Sequence, residues 1–352
     1  MLYYAYSIFD INIFQYISVR AAIAFFISFI LVLICMPKYI LWTQKKGTNQ
    51  PISEFAPKNH QQKTNTPTMG GIVFISSTLM ASFICAKLTN EYVILGLLSI
   101  ILFCLIGIKD DLSKVLQRKN AGINARTKLF LQGLSAFIIS FGLYLFNFDT
   151  SFYVPFLKNP LWYWDIFGIF FWILVFIATS NAVNLTDGLD GLVAIPSIYA
   201  ITTLAVLVYI AGHSVFSSYL LLPKIIGSGE VAIVASALVG SLIGFLWYNC
   251  HPAQVFMGDS GSLALGGFIA YMGIVSKNEI LLFVIGFIFV IEALSVLLQI
   301  GSYKTRGKRI FLMAPLHHHF EEKGLSESKI IVRFWIVALI SNIIALITLK
   351  LR

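Results

Sequence analysis

Apolar stretches of near-membrane-spanning length recur from residue 16 to the end of this chain, with no long polar block between them. A bilayer core of about 30 Å needs roughly 20 apolar residues per helix, because backbone amides cannot face lipid unpaired. The sequence is 58% hydrophobic and only 12% charged. It therefore predicts an all-α, polytopic integral membrane protein, a single membrane domain over residues 1–352 with about ten transmembrane helices. These are expected near residues 16–36, 69–87, 92–109, 128–147, 166–183, 189–211, 229–247, 262–276, 280–300 and 330–349.

Basic residues are distributed unevenly between the two sets of loops that ten spans would create. The loops after the odd-numbered spans, with their flanks, hold 18 of the 25 Lys and Arg residues. By the positive-inside rule these loops are cytoplasmic, and both termini lie on the outer side. The formal charge of +9 is thus a sign of membrane topology, and no nucleic-acid partner is predicted.

Five aspartates fall in three short groups, all in loops that the basic residues assign to the cytoplasm. Asp110 and Asp111 stand in KDDLSK, Asp187 and Asp190 in NAVNLTDGLDGL, and Asp259 in NCHPAQVFMGDSGS. Adjacent carboxylates repel each other, so a compensating cation is expected, either a metal ion or a lysine. Carboxylate oxygens favour magnesium over zinc. These three groups are predicted to form one site.

The segment NLTDGLDGL has two interpretations. Asp-Gly is a common turn dipeptide, so both aspartates could simply belong to turns. The spacing of three residues from Asn184 to Asp187 and again to Asp190 would instead align all three on one helical face. The doubled pattern favours this second, functional interpretation.

Two further segments, KTNTPTMGG and MGDSGS, have the composition of a phosphate-binding site. KTNTPTMGG places Lys63, Thr68 and a double glycine before the second span, and backbone amides with a cation can hold phosphate there. Lys114 and Lys128 flank the third and fourth spans. The alternative is that Thr-Pro and Gly-Gly simply begin a helix.

Three consecutive histidines, His317, His318 and His319, stand in APLHHHFE in the last cytoplasmic loop. They cannot all point to one ion from a helix or strand, which favours hydrogen bonds to phosphate or sugar oxygens over a metal tripod. Two charged residues, Glu292 and Arg20, lie within predicted spans. Function is the default hypothesis for both, although Glu292 could satisfy a kinked backbone and Arg20 could extend to the outer interface.

In their order along residues 63–321, KTNTPTMGG, KDDLSK, NAVNLTDGLDGL, NCHPAQVFMGDSGS and APLHHHFE resemble the motifs of one bacterial enzyme family. It is the phospho-N-acetylmuramoyl-pentapeptide transferases, within the polyprenyl-phosphate N-acetylhexosamine-1-phosphate transferases. Asn65 departs from the family pattern, which has Gly before Thr-Pro-Thr. The ten-span topology with outer termini also agrees with this family.

The resemblance implies a magnesium-dependent enzyme of the bacterial inner membrane. It would move phospho-MurNAc-pentapeptide from UDP-MurNAc-pentapeptide to undecaprenyl phosphate, giving lipid I and UMP. Phosphate attack on phosphate brings negative charges together, so a divalent cation and basic residues are needed. Membrane lipid is a further partner, and a homodimer is left open.

Site roles follow as hypotheses. Asp259 and Asp187 are the predicted metal ligands, and Asp110 deprotonates or orients the acceptor phosphate. The predicted catalytic residues are Asp110, Asp111, Asp259 and His317. The residues predicted to bind substrate are Lys63, Thr68, Lys114, Lys128, Asn184, Asp187, Asp190, Asn249, His318 and His319.

Three alternatives remain at this stage. A two-step path through an aspartyl-phosphate is not excluded by sequence. A GlcNAc-1-phosphate transferase would use the same lipid, although PLHHHFE counts against it. A transporter would place its charges near the bilayer midplane, whereas most acids here lie in loops on one side.

Overall fold

The computed structural model describes residues 1–9, 11–46, 66–117 and 122–350. Within these ranges the chain is mostly helical, as predicted. The helices, numbered in chain order, are α1 Leu2–Phe9, α2 Ile17–Lys46, α3 Gly71–Cys85, α4 Glu91–Gln117, α5 Ala125–Leu145, α6 Phe167–Thr186, α7 Ala194–Gly212, α8 Ser214–Tyr219, α9 Val231–Asn249, α10 Asp259–Val275, α11 Leu282–Ile285, α12 Phe287–Arg306, α13 Leu316–Glu322 and α14 Glu327–Ile347.

Each of the ten predicted spans coincides with a helix. Among the described residues, eight of these helices are long and apolar enough to cross a membrane, and together they mark a multi-pass membrane protein. The other two, α3 and α10, are apolar but shorter, at 15 and 17 residues. The number of crossings therefore stays a prediction, although every expected helix is present.

Helix α10 forms the centre of the molecule. All of its residues from Ser260 to Val275 are buried, and it packs against α3, α4, α6 and α7. Its sequence is apolar or small on every face, which is typical of a helix that neighbours surround completely. Asp259, its first residue, is consequently fixed by the core of the protein.

The peripheral helices carry large apolar side chains on their outward faces. Exposed examples on five of them are Phe26, Leu105, Phe130, Phe170 and Leu297. A soluble protein rarely exposes so much contiguous apolar surface, whereas lipid covers it at no cost. This surface agrees with the membrane assignment.

Two local features differ from the all-helical prediction. Between α5 and α6, β1 Ser151–Phe152 pairs antiparallel with β2 Trp162–Tyr163. The aromatic stretch NPLWYWD therefore lies partly in a small hairpin. The predicted ninth span is also divided, because α11 ends at Ile285 and α12 begins beyond Gly286. Periodicity did not reveal either feature, since both are short interruptions in apolar sequence.

Candidate active site

Three carboxylates meet at one end of the helical bundle. Asp110 and Asp111 lie in the last third of α4, and Asp259 begins α10. One oxygen of each lies within 4.8 Å of the others. We call the end of the bundle that carries Asp110, Asp111 and Asp259 the aspartate end. The motifs KDDLSK and MGDSGS therefore form one site, as predicted.

Two lysines contact these carboxylates. Lys114 Nζ lies 2.6 Å from Asp110 Oδ2 and 3.1 Å from Asp259 Oδ1. Lys128 Nζ, from the first turn of α5, lies 2.5 Å from Asp259 Oδ2. Both predicted phosphate-neutralising lysines thus belong to the site. Lys63, predicted with them, lies outside the described residues.

Asp111 has a different environment from Asp110. Its two carboxylate oxygens accept hydrogen bonds from the backbone amides of Asp259 and Ser260, each at 3.0 Å. It therefore caps the N-terminus of α10, where a negative charge also interacts favourably with the helix dipole. Gly258 makes this approach feasible, since its φ is +75° and a Cβ there would lie 2.6 Å from Asp111 Oδ2. This contact fixes Asp259 relative to α4.

Asn184 joins the same site from α6. Its Nδ2 donates to Asp259 Oδ1 at 3.1 Å and to Ser262 Oγ at 2.9 Å. The prediction that Asn184, Asp187 and Asp190 share a helical face is wrong, because α6 ends at Thr186 and a series of turns follows. The turn interpretation of the Asp-Gly pairs was correct for the backbone.

Asp187 lies directly after α6 and is partly buried. Burial and the nearby negative charges of Asp259 and Asp111 raise the pKa of Asp187 to about 8. Its oxygens do not belong to the tight group of three carboxylates among the described residues. Its predicted role as a metal ligand stays a prediction.

Asp190 and Asn249 point away from this group and connect backbone segments. Asp190 Oδ2 lies 3.1 Å from His251 Nδ1, and the Asp190 amide donates to Glu327 Oε1 at 3.2 Å. Asn249 Oδ1 accepts from the amide of Gly191 at 3.0 Å. These contacts join the α6–α7 and α9–α10 connections to the start of α14. The contact of either residue with substrate stays a prediction.

The segment before α3 packs along the segment before α10. Gly70 and Gly71 donate their amides to the carbonyls of Phe256 and Met257, each at 2.9 Å. Thr68 is buried, with its carbonyl accepting from Tyr39 Oη. The expectation that the double glycine holds phosphate through free amides is therefore wrong. These glycines instead fix the loop that presents Asp259.

The three histidines open helix α13 and face separate partners. His317 Nδ1 lies 3.2 Å from Glu292 Oε2, His318 Nδ1 lies 2.7 Å from Glu321 Oε2, and His319 Nδ1 accepts from the Leu312 amide at 3.1 Å. This confirms that they do not converge on one ion. His317 is buried, and the other two are partly exposed.

Glu292 is the residue whose role the sequence left open. Although it lies inside α12 and is fully buried, it accepts hydrogen bonds from the amides of Leu316 at 2.8 Å and His317 at 3.2 Å. It thereby fixes the N-terminus of the histidine helix. His317 in turn packs on Gly188, where a Cβ would overlap the imidazole ring. The one signal for this contact was an ionisable residue within an apolar span.

The donor set suits a divalent cation. Asp110, Asp111 and Asp259 offer carboxylate oxygens, which are hard ligands of the kind that magnesium prefers. The lysines that now contact them show that this cluster attracts positive charge. Positive charges held next to carboxylates can also bind the phosphate oxygens of a substrate.

Comparison with known proteins agrees with this site. Residues 93–277 match the model of glycosyl transferase family 4. The chain is 64% identical over 352 residues to a phospho-N-acetylmuramoyl-pentapeptide-transferase from Wolinella succinogenes, and the match covers all of both chains. It is 63% identical to the protein of that name from Nitratiruptor, again over both full lengths. The Helicobacter pylori protein is 58% identical, covering 99% of this chain and 98% of that one.

Fold and site thus define a multi-pass membrane protein of glycosyl transferase family 4, with three aspartates and two lysines gathered at one end of the bundle. Within that class, the full-length identities are far above those needed to show a family. The chain belongs to the phospho-N-acetylmuramoyl-pentapeptide transferases. The resemblance drawn from the sequence motifs is confirmed.

Proposed function

We propose that this chain transfers phospho-MurNAc-pentapeptide from UDP-MurNAc-pentapeptide to undecaprenyl phosphate, forming lipid I and releasing UMP. The observation that carries the proposal is the group made by Asp110, Asp259, Lys114 and Lys128, in which two ammonium groups contact two carboxylates. A reaction between two phosphates needs this combination of acid and base at one place. The name of the similar Wolinella succinogenes protein supplies the donor sugar and peptide.

The proposed location is the bacterial inner membrane. Ten helices cross it, both termini lie outside, and the aspartate end faces the cytoplasm. The distribution of Lys and Arg residues supports this orientation through the positive-inside rule. A water-soluble nucleotide donor and a lipid acceptor then meet at the membrane surface.

Magnesium is the proposed cofactor. Asp259 would be its direct ligand and Asp187 the second, and Asp110 offers carboxylate oxygens in the same group as Asp259. When bound, the ion would supply a double positive charge that offsets the negative charge of the reacting phosphates. All other steps are assigned to side chains of this chain.

In the proposed reaction an oxygen of the acceptor phosphate forms a bond to the phosphorus that carries the sugar. The bond from that phosphorus to the bridging oxygen breaks, and its electron pair leaves with UMP. Asp110 takes the proton of the acceptor phosphate or orients it, while Lys114 and Lys128 neutralise phosphate oxygens. Asp111 holds the start of α10, so that Asp259 keeps its position relative to the reacting groups. His317 and His318 orient the sugar and its pyrophosphate.

The test is UMP release by purified protein in detergent with undecaprenyl phosphate and magnesium. UDP-MurNAc-pentapeptide and UDP-GlcNAc are compared as donors, with Asp259→Asn as the inactive variant. We expect magnesium-dependent turnover of the muramoyl donor alone. Turnover of UDP-GlcNAc would move the chain to the other branch of the superfamily, and no turnover of either donor would contradict the proposal.

A single-turnover experiment without acceptor separates the one-step and two-step mechanisms. We expect no UMP under these conditions, because the acceptor phosphate is itself the nucleophile in a one-step transfer. A stoichiometric burst of UMP with a phosphosugar trapped on the protein would establish the aspartyl-phosphate path instead.

A further inference from the structure

A cleft of about 740 Å³ lies beside the histidine helix, outside the group of carboxylates. Helix α12 forms one wall, and the connection to α13 and the far end of α13 form the others. Gln299, Tyr303 and Lys304 line it from α12, Arg309 and Met313 from the connection, and Glu322 from α13. This volume is typical of a site for a small molecule or a short peptide.

The cleft adjoins the site through the histidine helix. Met313 and Ala314, which line it, come directly before the turn that leads to His317. His317 packs on Gly188, the neighbour of Asp187. A donor whose sugar lies against the histidines therefore has the carboxylates on one side and this cleft on the other. A substituent attached to that sugar can enter the cleft without crossing the reacting phosphates.

The chemistry of the walls is mixed. Val296, Ile300 and Leu312 give the cleft an apolar floor. Lys304 and Arg309 are exposed along its rim, and within the part of the chain that the structure describes neither lies within 4.0 Å of a carboxylate. The sole acid among its lining residues is Glu322. This surface suits an extended ligand with aliphatic groups and carboxylates.

We propose that this cleft binds the peptide arm of the donor, with peptide carboxylates held by Lys304 and Arg309. The inference rests on the proposed function, because it takes a peptide-bearing sugar nucleotide as the donor. Five residues reach at most roughly 17 Å when extended, which spans a cleft of this size. Guanidinium and carboxylate form paired, charge-assisted hydrogen bonds, and Arg309 is the residue that can provide them here. The cleft thus gives the enzyme a way to select donors that carry their peptide.

The experiment compares binding of two ligands without acceptor, UDP-MurNAc-pentapeptide and UDP-MurNAc that lacks the peptide. Dissociation constants are measured by calorimetry for the parent protein and for Lys304→Ala/Arg309→Ala. We expect the double variant to bind the peptide-bearing donor about tenfold more weakly, as for the loss of two solvent-accessible charge contacts. Its affinity for the peptide-free donor should match that of the parent.

Arg306→Ala/Lys308→Ala is the matched control, because it removes the same charge from the same basic run at positions that do not line the cleft. It should change neither dissociation constant. A thermal unfolding scan of each variant excludes a general loss of structure.

Three outcomes would overturn the inference. Equal binding of both donors by the parent would mean that the peptide makes no contact. An equal loss for both donors in the cleft variant would assign Lys304 and Arg309 to the nucleotide or to general charge. A raised KM for undecaprenyl phosphate, with donor binding unchanged, would assign the cleft to the acceptor. Failure of the proposed function gives a different result, since neither muramoyl donor would then bind the parent.

Discussion

The two ends of the bundle both bury charged side chains, but they do so in different ways. At the aspartate end, Asp110 and Asp259 share two lysines, and Asp111 accepts from backbone amides. Lys114, Lys128 and Asp259 keep 14–19% of their side-chain surface exposed, and Asp110 keeps 4%. At the opposite end, Arg20 and Glu230 form a one-to-one pair, with side chains 1% and 11% exposed. One end carries surplus negative charge open to ligands. The other carries one carboxylate matched by a buried guanidinium, which we call the sealed pair.

The opposite end satisfies its charges from within the protein. The Arg20 guanidinium donates to both oxygens of Glu230, at 2.8 Å and 2.6 Å. The sequence left open that Arg20 extends to the outer interface. Arg20 is instead buried against Glu230. Lys277 donates to the carbonyls of Asp149 and Ser151 and lies 4.3 Å from the ring of Phe148. Nothing in this arrangement calls for a substrate.

The comparison shows that buried charge does not by itself mark an active site. What distinguishes the aspartate end is that its carboxylates outnumber the lysines that contact them, and that a loop held by glycine contacts leads into Asp259. Variants at the two ends should therefore separate activity from stability. A change at the aspartate end should lower turnover, and one at the opposite end should lower the free energy of unfolding.

The largest effect is expected for Asp259→Asn. The amide keeps the size of the side chain but removes the charge that Lys114 and Lys128 contact. Turnover should fall by on the order of 10³-fold, equivalent to about 4 kcal/mol in the activation barrier, as for loss of a group that stabilises charge in a transition state. UMP release measures this loss, and the melting temperature should stay close to that of the parent.

Asp165→Asn is the matched control for this variant. Asp165 is exposed and precedes α6, at the far end of that helix from Asn184. Its φ of +45° is one that Asn tolerates. A drop in turnover as large as that of Asp259→Asn would mean that loss of any acidic residue impairs the protein.

The second prediction concerns the sealed pair. Arg20→Met leaves Glu230 buried without its partner, which should lower the free energy of unfolding by about 3 kcal/mol or more. Turnover per folded molecule should be unchanged, because the pair is at the opposite end from the carboxylates. Arg20→Met/Glu230→Gln should recover part of the stability. If Arg20→Met instead lowered turnover at full stability, the division between the two ends would fail.

The third prediction tests a residue that combines both roles. Asp111→Asn keeps one acceptor for the amides of Asp259 and Ser260, but its NH₂ group faces the other amide. Stability should fall by about 2 kcal/mol, typical of a charge-assisted hydrogen bond, and turnover should fall with it as Asp259 shifts. Denaturation and UMP release on the same samples measure both. A large loss of turnover at unchanged stability would show that Asp111 acts on substrate directly.

Much of this site could be predicted from the sequence because its signals are local. The length of the apolar stretches predicted all ten helices. The clustering of aspartates in a chain with few charges predicted that KDDLSK and MGDSGS form one site. The helical periodicity of NLTDGLDGL failed because α6 ends at Thr186, and in the turns that follow, Gly188 packs on His317, a residue distant in sequence. The turns that follow separate Asp190 from Asn184.

The role of Glu292 could not be predicted for a related reason. Its partners are backbone amides of the histidine helix, and any residue has an amide, so the sequence carries no sign of the contact. The amides of Gly70 and Gly71 were assigned to phosphate on the same weak basis. In the structure these amides donate hydrogen bonds to the carbonyls of Phe256 and Met257. Local chemistry names candidate groups, but long-range packing decides which of them remain free.

The smallest effect is expected at Glu279, beside the sealed charges. Its Oε1 accepts from Trp172 Nε1 at 3.3 Å, and its other oxygen is buried. Burial, offset in part by Lys277, raises the pKa of Glu279 from 4.5 to about 7. The folded protein therefore binds this proton more tightly than the unfolded chain does. Its contribution to stability is complete below pH 4.5 and is lost as the pH rises to about 7.

Glu279→Gln should remove this dependence of stability on pH without affecting turnover. At pH 8 the variant should gain free energy of unfolding, because it buries no charge. At about 1.4 kcal/mol for each pKa unit, this gain is at most roughly 3 kcal/mol. The variant loses about 1–2 kcal/mol because its NH₂ group lacks an acceptor. A net gain of about 1 kcal/mol at pH 8 should become a net loss at pH 5, measured by denaturation in detergent. The same dependence of stability on pH in parent and variant would mean that a group other than Glu279 titrates in this range.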